Sequence, residues 1–197
     1  MCDSRMLQLL DEETRAHHAR ADAERLALLT ASVDRAEYLA YLAKLYAFEA
    51  PNESALLGTP GLDKMIGFKT RCGAILLASD LLALGLRLPK LDRVPRALTP
   101  FPSIGEALGG LYVIERGRRL HGTIRRHLRS RLPHEMRFAG SYLAAHEARA
   151  FANWRELGTV LDRFALSRGL AQQVLSGAHQ MFSAQASAFV HAEAHAA

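Results

Sequence analysis

The sequence predicts an all-α protein: a single-domain, multi-helix bundle over residues 1–197. Three observations lead there. Apolar residues make up 49% of the chain and are mostly Ala and Leu, with little Ile or Val, a composition that favours helix over sheet. Apolar positions recur near every 3.6 residues along most of the length. No linker long enough to divide domains and no internal repeat interrupts them, and 197 residues are enough for one sizeable core.

The elements follow in order. Residues 4–29 read as a first helix, with Leu7, Leu10, Thr14, His17 or His18, Ala21 and Leu28 at helical spacing and Ser4 or Asp3 as its cap. Asp34 caps the second helix and Glu37 completes a capping box. That helix carries Tyr38, Leu42, Leu45, Tyr46 and Phe48 and reaches about Leu57, and Pro51 inside it predicts a kink or break near Ala50. Gly58 to Gly61 is a turn and Leu62 to Phe68 a short helix. Arg71 to Leu84 is a strong helix closed by Gly85 in the C′ position. Leu88 to Pro102, with four prolines, reads as a surface loop. Ser103 caps a helix pair, Ile104 to Gly109 and then Leu111 to Leu132, which Pro133 stops. Phe138 to Phe164 holds one or two helices with Trp154 in the core. Leu170 to Ala194 is the last helix, its inner face formed by Val174, Ala178, Met181, Phe182 and Phe189.

Composition also bounds function. No apolar run reaches the roughly 18 residues of a membrane span. The first 25 residues are charged and lack a secretory h-region, so a cytoplasmic location is expected. Cys2 and Cys72 make no disulfide framework. Cys72, on an apolar helix, reads as a packed thiol. The net charge is +5, and seven arginines lie from Arg116 to Arg131. Such a run suits nucleic acid, an acidic partner or a carboxylate ligand. Without interleaved aromatics for base stacking, nucleic acid is the least favoured, and most of these arginines read as a solvated face.

The stretch from Leu108 to Leu128 carries the most information. With Gly117 at zero on a helical wheel, Gly110, Val113, Ile114, Leu120, His121, Ile124 and Leu128 fall within about 60° of it, and Arg116, Arg118, Arg119, Arg125, Arg126 and Arg129 fall outside. Glycine inside a helix costs about 1 kcal/mol relative to alanine, so a glycine on the inner face implies a close approach: tight helix packing or a ligand. Of the nine histidines, His127, His134, His146 and His179 read as surface or satisfied core, and His191 and His195 as surface. No Glu-x-x-His pattern supports a zinc or di-iron site. No Ser-His-Asp order, Gly-rich phosphate loop or Cys-x-x-Cys is present. A single axial histidine for haem remains.

Thr14-Arg15-Ala16-His17-His18-Ala19-Arg20-Ala21-Asp22 resembles the Thr-Arg-x-x-His-x-x-x-Glu pattern of bacterial, biliverdin-producing haem oxygenases. Tyr38 to Tyr46 with Pro51 and Glu53, Arg71 with Leu77, Asp80-Leu81 and Leu84-Gly85, and Leu108-Gly-Gly-Leu-Tyr-Val-Ile-Glu115 resemble later stretches of that family in the same order. Phe138, Tyr142 and Trp154 echo a weaker pattern. The resemblance implies a haem-oxygenase-like fold. It also implies cleavage of haem to biliverdin, carbon monoxide and iron, with haem as both substrate and prosthetic group. Electrons would come from an external donor, a reductase or a ferredoxin-type protein.

By that resemblance His18 is the axial ligand to haem iron, Asp22 orients it, and Arg15 and one arginine of the Arg116–Arg126 run meet the propionates. The departure lies in the distal helix. The family pattern Gly-Ser-Thr-Leu-Gly-Gly is here Arg116-Gly-Arg-Arg-Leu-His-Gly122. Without a gap, Arg116, Leu120 and His121 replace the three glycines. Shifted by one, Gly117 and Gly122 match the outer glycines and His121 replaces the middle one. The wheel favours the shift, which keeps Arg116 outside. Gly117, Gly122 and His121 are then the expected distal residues, with His121 facing the iron or the rim of its pocket. The alternatives are a non-enzymatic haem- or bilin-binding member of the fold, a partner protein, and a thiaminase-like enzyme using Cys72.

Overall fold

The computed structural model describes residues 4–87 and 99–194 and, among them, is all-helical with no strand. The elements are α1 (Arg5–Glu13), α2 (Arg15–Ala27), α3 (Arg35–Gly58), α4 (Leu62–Ile66), a 3-10 turn (Phe68–Arg71), α5 (Ala74–Ala83), α6 (Ile104–Arg118), α7 (His121–Arg131), α8 (Glu135–Phe138), α9 (Ser141–Phe164) and α10 (Arg168–Ala194). Residues 88–98 of the expected loop, the side chains of His191 and His195, and Cys2 lie outside the described residues.

The centre of the bundle is the pairing of α6 with α10, and two glycines make it possible. A Cβ on Gly109 would overlap the Val174 carbonyl oxygen, and one on Gly177 would overlap the Glu106 carbonyl oxygen. The two backbones therefore touch, as small residues allow. α3 packs on α10 and on α5, and α9 packs along α6 and α7. The core fills the space between them with Leu42, Leu45, Phe48, Leu108, Leu111, Ile114, Leu157, Val174 and Phe182.

Several ends form as their residues dictate. Asp34 Oδ1 accepts from Glu37 N at 2.8 Å while Glu37 Oε2 accepts from Asp34 N at 2.9 Å, a complete capping box. Gly85 takes φ +86°. Its N–H donates to Leu82 O at 2.9 Å, and that of Leu86 to Leu81 O at 3.0 Å, the two bonds of a Schellman motif. Two further helix starts are capped from a distance. Glu53 accepts from the N–H groups of Gly73 (2.6 Å) and Ala74 (3.0 Å) at the head of α5. Asp80 accepts from those of Ser141 (3.2 Å) and Tyr142 (2.9 Å) at the head of α9. Carboxylates there meet orphan donors and the positive end of the helix dipole.

Elsewhere the structure corrects the sequence reading. The expected helix over residues 4–29 breaks at Thr14, whose hydroxyl donates back to Leu10 O at 2.6 Å and ends α1. α3 runs through Pro51, which is buried within it, and Asn52 Nδ2 donates to Phe48 O at 2.6 Å beside it. Cys72 and Gly73 keep Arg71 out of α5. The helix expected to start anew at Leu111 is continuous from Ile104 to Arg118. It then stops where Arg119 N and Leu120 N donate to residues three back, Arg116 O and Gly117 O, each at 3.3 Å. The tighter turn separates α6 from α7. Trp154 is half-buried, with the Arg119 guanidinium 4.7 Å from its ring centre.

Candidate functional site

The histidines of α2 stand on its first turns, aimed in different directions. Thr14 Oγ1 has one hydrogen, and it goes to Leu10 O at 2.6 Å. Toward His18 Nε2, 3.0 Å away, Thr14 therefore accepts, so that Nε2 carries the imidazole proton. Tyr112 Oη lies 3.5 Å from the same hydroxyl. His18 Nδ1 faces Asp11 Oδ1 at a long 3.8 Å. Burial and then the Arg116 charge lower the His18 pKa.

Asp22 does not orient His18. Both its oxygens are taken by Arg116, Nη1 to Oδ1 at 2.8 Å and Nη2 to Oδ2 at 2.9 Å, a bidentate pair that ties α2 to α6. The side chains are 15% and 20% exposed. Arg116 thus faces α2 beside His18, contrary to the wheel, because α6 ends there and its last turn is covered by α2. Arg15, the expected propionate partner, is exposed at the first turn of α2.

His17 points the other way, toward α10. Its ring stacks on Phe182, with centroids 5.1 Å apart and planes 8° apart, and its Nε2 lies 3.0 Å from His179 Nδ1. Burial and then His179 lower its pKa. The sequence reads His179 as surface or satisfied core; it meets His17 because α10 folds back across α2. Beyond this pair opens a groove of roughly 440 Å³ between α2 and α10, lined by His17, Arg20, Phe182, Gln185, Phe189 and Val190 among others. Glu24 also borders it, but is paired with Lys44 Nζ at 2.8 Å, which leaves Arg20 as the cation at the groove.

The expected distal residues are not brought to either histidine of α2. Gly117 is buried, but what approaches it is the guanidinium of Arg25, which donates to Ala21 O at 2.6 Å. Gly110 meets Met181 and Phe101, and Gly122 meets Glu147. His121 is 0% exposed. It lies beyond the break after α6, with its ring centre 5.0 Å from that of Tyr142 and 6.0 Å from that of His146. Neither of its ring nitrogens has a hydrogen-bond partner among the described residues. Burial, then His146 and Arg25, hold its pKa well below the ordinary value. The glycines of this stretch serve packing, and the inward face of α7 is core.

What the sequence reading missed is a buried ionic network behind His121. Arg118, expected at the surface, is 1% exposed. It donates to Glu49 (2.7 Å), Glu53 (3.1 Å) and the Arg71 carbonyl oxygen (2.7 Å). Arg71 in turn pairs with Glu115 at 3.0 Å and Glu156 at 2.6 Å. Tyr142 Oη donates to Glu49 at 2.5 Å. The signal was present as Glu49 and Glu53, one turn apart among apolar neighbours on α3. The remaining arginines divide: Arg125 pairs with Glu147 at 2.7 Å, and Arg126, Arg129 and Arg131 are exposed as expected.

The residues around His18 do not fit haem. The side of α6 beside His18 carries the Arg116–Asp22 pair, and with the proton on Nε2 the nitrogen left with a lone pair is Nδ1, which faces Asp11 Oδ1 at 3.8 Å. Around His17 the fit is better: an exchangeable imidazole, an aromatic wall and a cation border an open groove. Among the described residues no group of three or more His, Cys, Asp or Glu is placed to hold a metal ion, and no helix is long and apolar enough to cross a membrane. No known protein-family model matches the chain, and no curated protein matches it.

Proposed function

We propose that this is a haem-oxygenase-like protein that binds a flat, carboxylate-bearing tetrapyrrole, haem or a bilin, in the groove between α2 and α10 without cleaving it. The observation that carries the reading is the groove itself. Its roughly 440 Å³ falls in the range of small-molecule sites, and it joins Phe182 and Phe189 with the His17 imidazole and Arg20. Phe182, Phe189 and Val190 offer the macrocycle an apolar wall on one side, Arg20 pairs a carboxylate, and His17 supplies an imidazole once it exchanges its hydrogen bond with His179. Binding without cleavage is favoured because the glycines of α6 are spent on Val174, Met181 and Arg25.

The test is optical titration with haem and with biliverdin, followed by a reductant. The expected result is a haem spectrum with an axial imidazole that is lost in His17→Ala and kept in His18→Ala, with no bilin formed on reduction in air. A bilin product would establish the oxygenase reading instead. No binding of either tetrapyrrole would remove the groove as their site.

A further inference from the structure

The disagreement between His18 and haem has a local cause. Arg116 belongs to the last turn of α6 and reaches across to Asp22, which lies one turn beyond His18 on α2. Two parallel hydrogen bonds, 2.8 and 2.9 Å, fix the guanidinium there. The pair is mostly buried, with side-chain exposures of 15% and 20%, and the His18 side chain is itself 15% exposed. On the α6 side of His18, where Thr14 and Tyr112 also meet, a planar ligand would run into this pair. It would also meet a fixed cation and displace a carboxylate already satisfied at both oxygens. In the ungapped register Arg116 occupies the position of the first glycine in the haem-oxygenase pattern. A glycine there would leave no side chain in the gap and would free Asp22 to face His18.

We propose that Arg116, clamped by Asp22, is the specificity-determining residue that keeps haem off His18. This deepens the reading of a non-cleaving binder but does not depend on the groove. Losing the arginine removes both the obstruction and the charge, and no other described side chain bonds Asp22. The hydrogen bond from His18 Nε2 to Thr14 is a single neutral contact and exchanges when a stronger partner arrives.

The experiment is haem titration of Arg116→Gly and Arg116→Ala, each followed by Soret absorption and checked for folding by circular dichroism. Each is repeated with His18→Ala or His17→Ala added. The expected result is at least a tenfold gain in haem affinity, or a second equivalent of bound haem, that disappears with His18→Ala and persists with His17→Ala. Arg116→Ala serves the same reading if the glycine variant does not fold. Folded Arg116 variants without a His18-dependent gain overturn the proposal, as does wild-type protein that already binds haem through His18. Wild-type protein that binds no haem, beside an Arg116 variant that does so through His18, sinks the groove reading and supports this one.

Discussion

The guanidinium of Arg25 lies against Gly117 in the space that a Cβ there would occupy, so that one helix of the bundle is built around the missing side chain of another. Arg25 is 3% exposed and is held at Ala21 O and, with the Gln185 amide suitably oriented, at Gln185 Oε1. A methyl group at residue 117 must displace a bonded side chain.

The glycines of the α6–α7 stretch therefore differ in what they tolerate. Gly117→Ala is expected to cost about 1–3 kcal/mol, the usual range for overpacking. Gly109→Ala and Gly177→Ala press on backbone, which cannot swing aside, and are expected to cost more than Gly117→Ala. At Gly122 a Cβ meets the flexible Glu147 side chain at 3.3 Å. Gly122→Ala is expected to be neutral or to add up to about 1 kcal/mol from helix propensity. Urea unfolding of the four variants checks the order; equal costs at residues 117 and 122 would refute the packing account.

Arg118 is expected to be intolerant of truncation. Its partners Glu49 and Glu53 are buried at 1% and 4% exposure, so Arg118→Ala leaves two buried carboxylates without their counter-charge. Breaking a buried pair from one side costs roughly 3–5 kcal/mol. Arg126→Ala, on the exposed side of α7, is expected to change stability by less than about 0.5 kcal/mol. Thermal unfolding of both variants distinguishes a network that holds the fold from one that is incidental.

The fold was legible in the sequence where local chemistry decides it. The Asp34–Glu37 capping box, the Gly85 stop and the inner face of α10 were all readable from residue type and spacing. The breaks at Thr14 and Arg119 were less visible, because each depends on a hydroxyl or a turn choosing one of two bonding patterns. The site was less legible still. A helical wheel ranks positions about one axis, but Arg116 and Arg118 are covered by three other helices, and the carboxylates that accept them come from α2 and α3. His17 and His179 stand more than 160 residues apart, and nothing local announces their meeting.

The hydroxyl of Thr14 sets the tautomer of His18. Because its hydrogen is committed to Leu10 O, neutral His18 is expected to carry its proton on Nε2. Nitrogen-15 NMR of the ring reports the tautomer directly. Thr14→Val keeps the shape and removes the acceptor, and is expected to shift His18 toward a mixture of both tautomers. An Nδ1-protonated ring in wild-type protein would contradict this assignment.

Acid is expected to destabilise the protein, and the sign can be worked out group by group. His121 and His146 are buried and neutral in the folded state, with His146 pushed down to about 2 by burial and Arg118, and His121 held well below its ordinary value. In the unfolded chain both take up protons near pH 6.5, so they withdraw stability as pH falls. Glu53 acts in the opposite sense. Burial and Glu49 raise it from 4.5 to about 7, so the folded state binds its proton first and gains as pH falls from 7 to 4.5. Asp80, also raised by burial, opposes acid unfolding in the same way at lower pH. His17 and His18, both lowered, add to the histidine side. Between pH 6.5 and 4.5 the lowered histidines favour the unfolded chain and Glu53 favours the folded one. Each net proton taken up by the unfolded chain costs about 1.4 kcal/mol per pH unit, and the four lowered histidines outweigh Glu53. Stability is therefore expected to fall as pH drops below about 7. The decisive variant is His121→Leu with His146→Leu. It leaves Glu53 as the main buried group titrating in this window, and stability is then expected to flatten or to rise as pH falls from 7 to 5. Urea midpoints across that range decide it: an unchanged acid slope in the double variant would mean that the buried histidines are not its source.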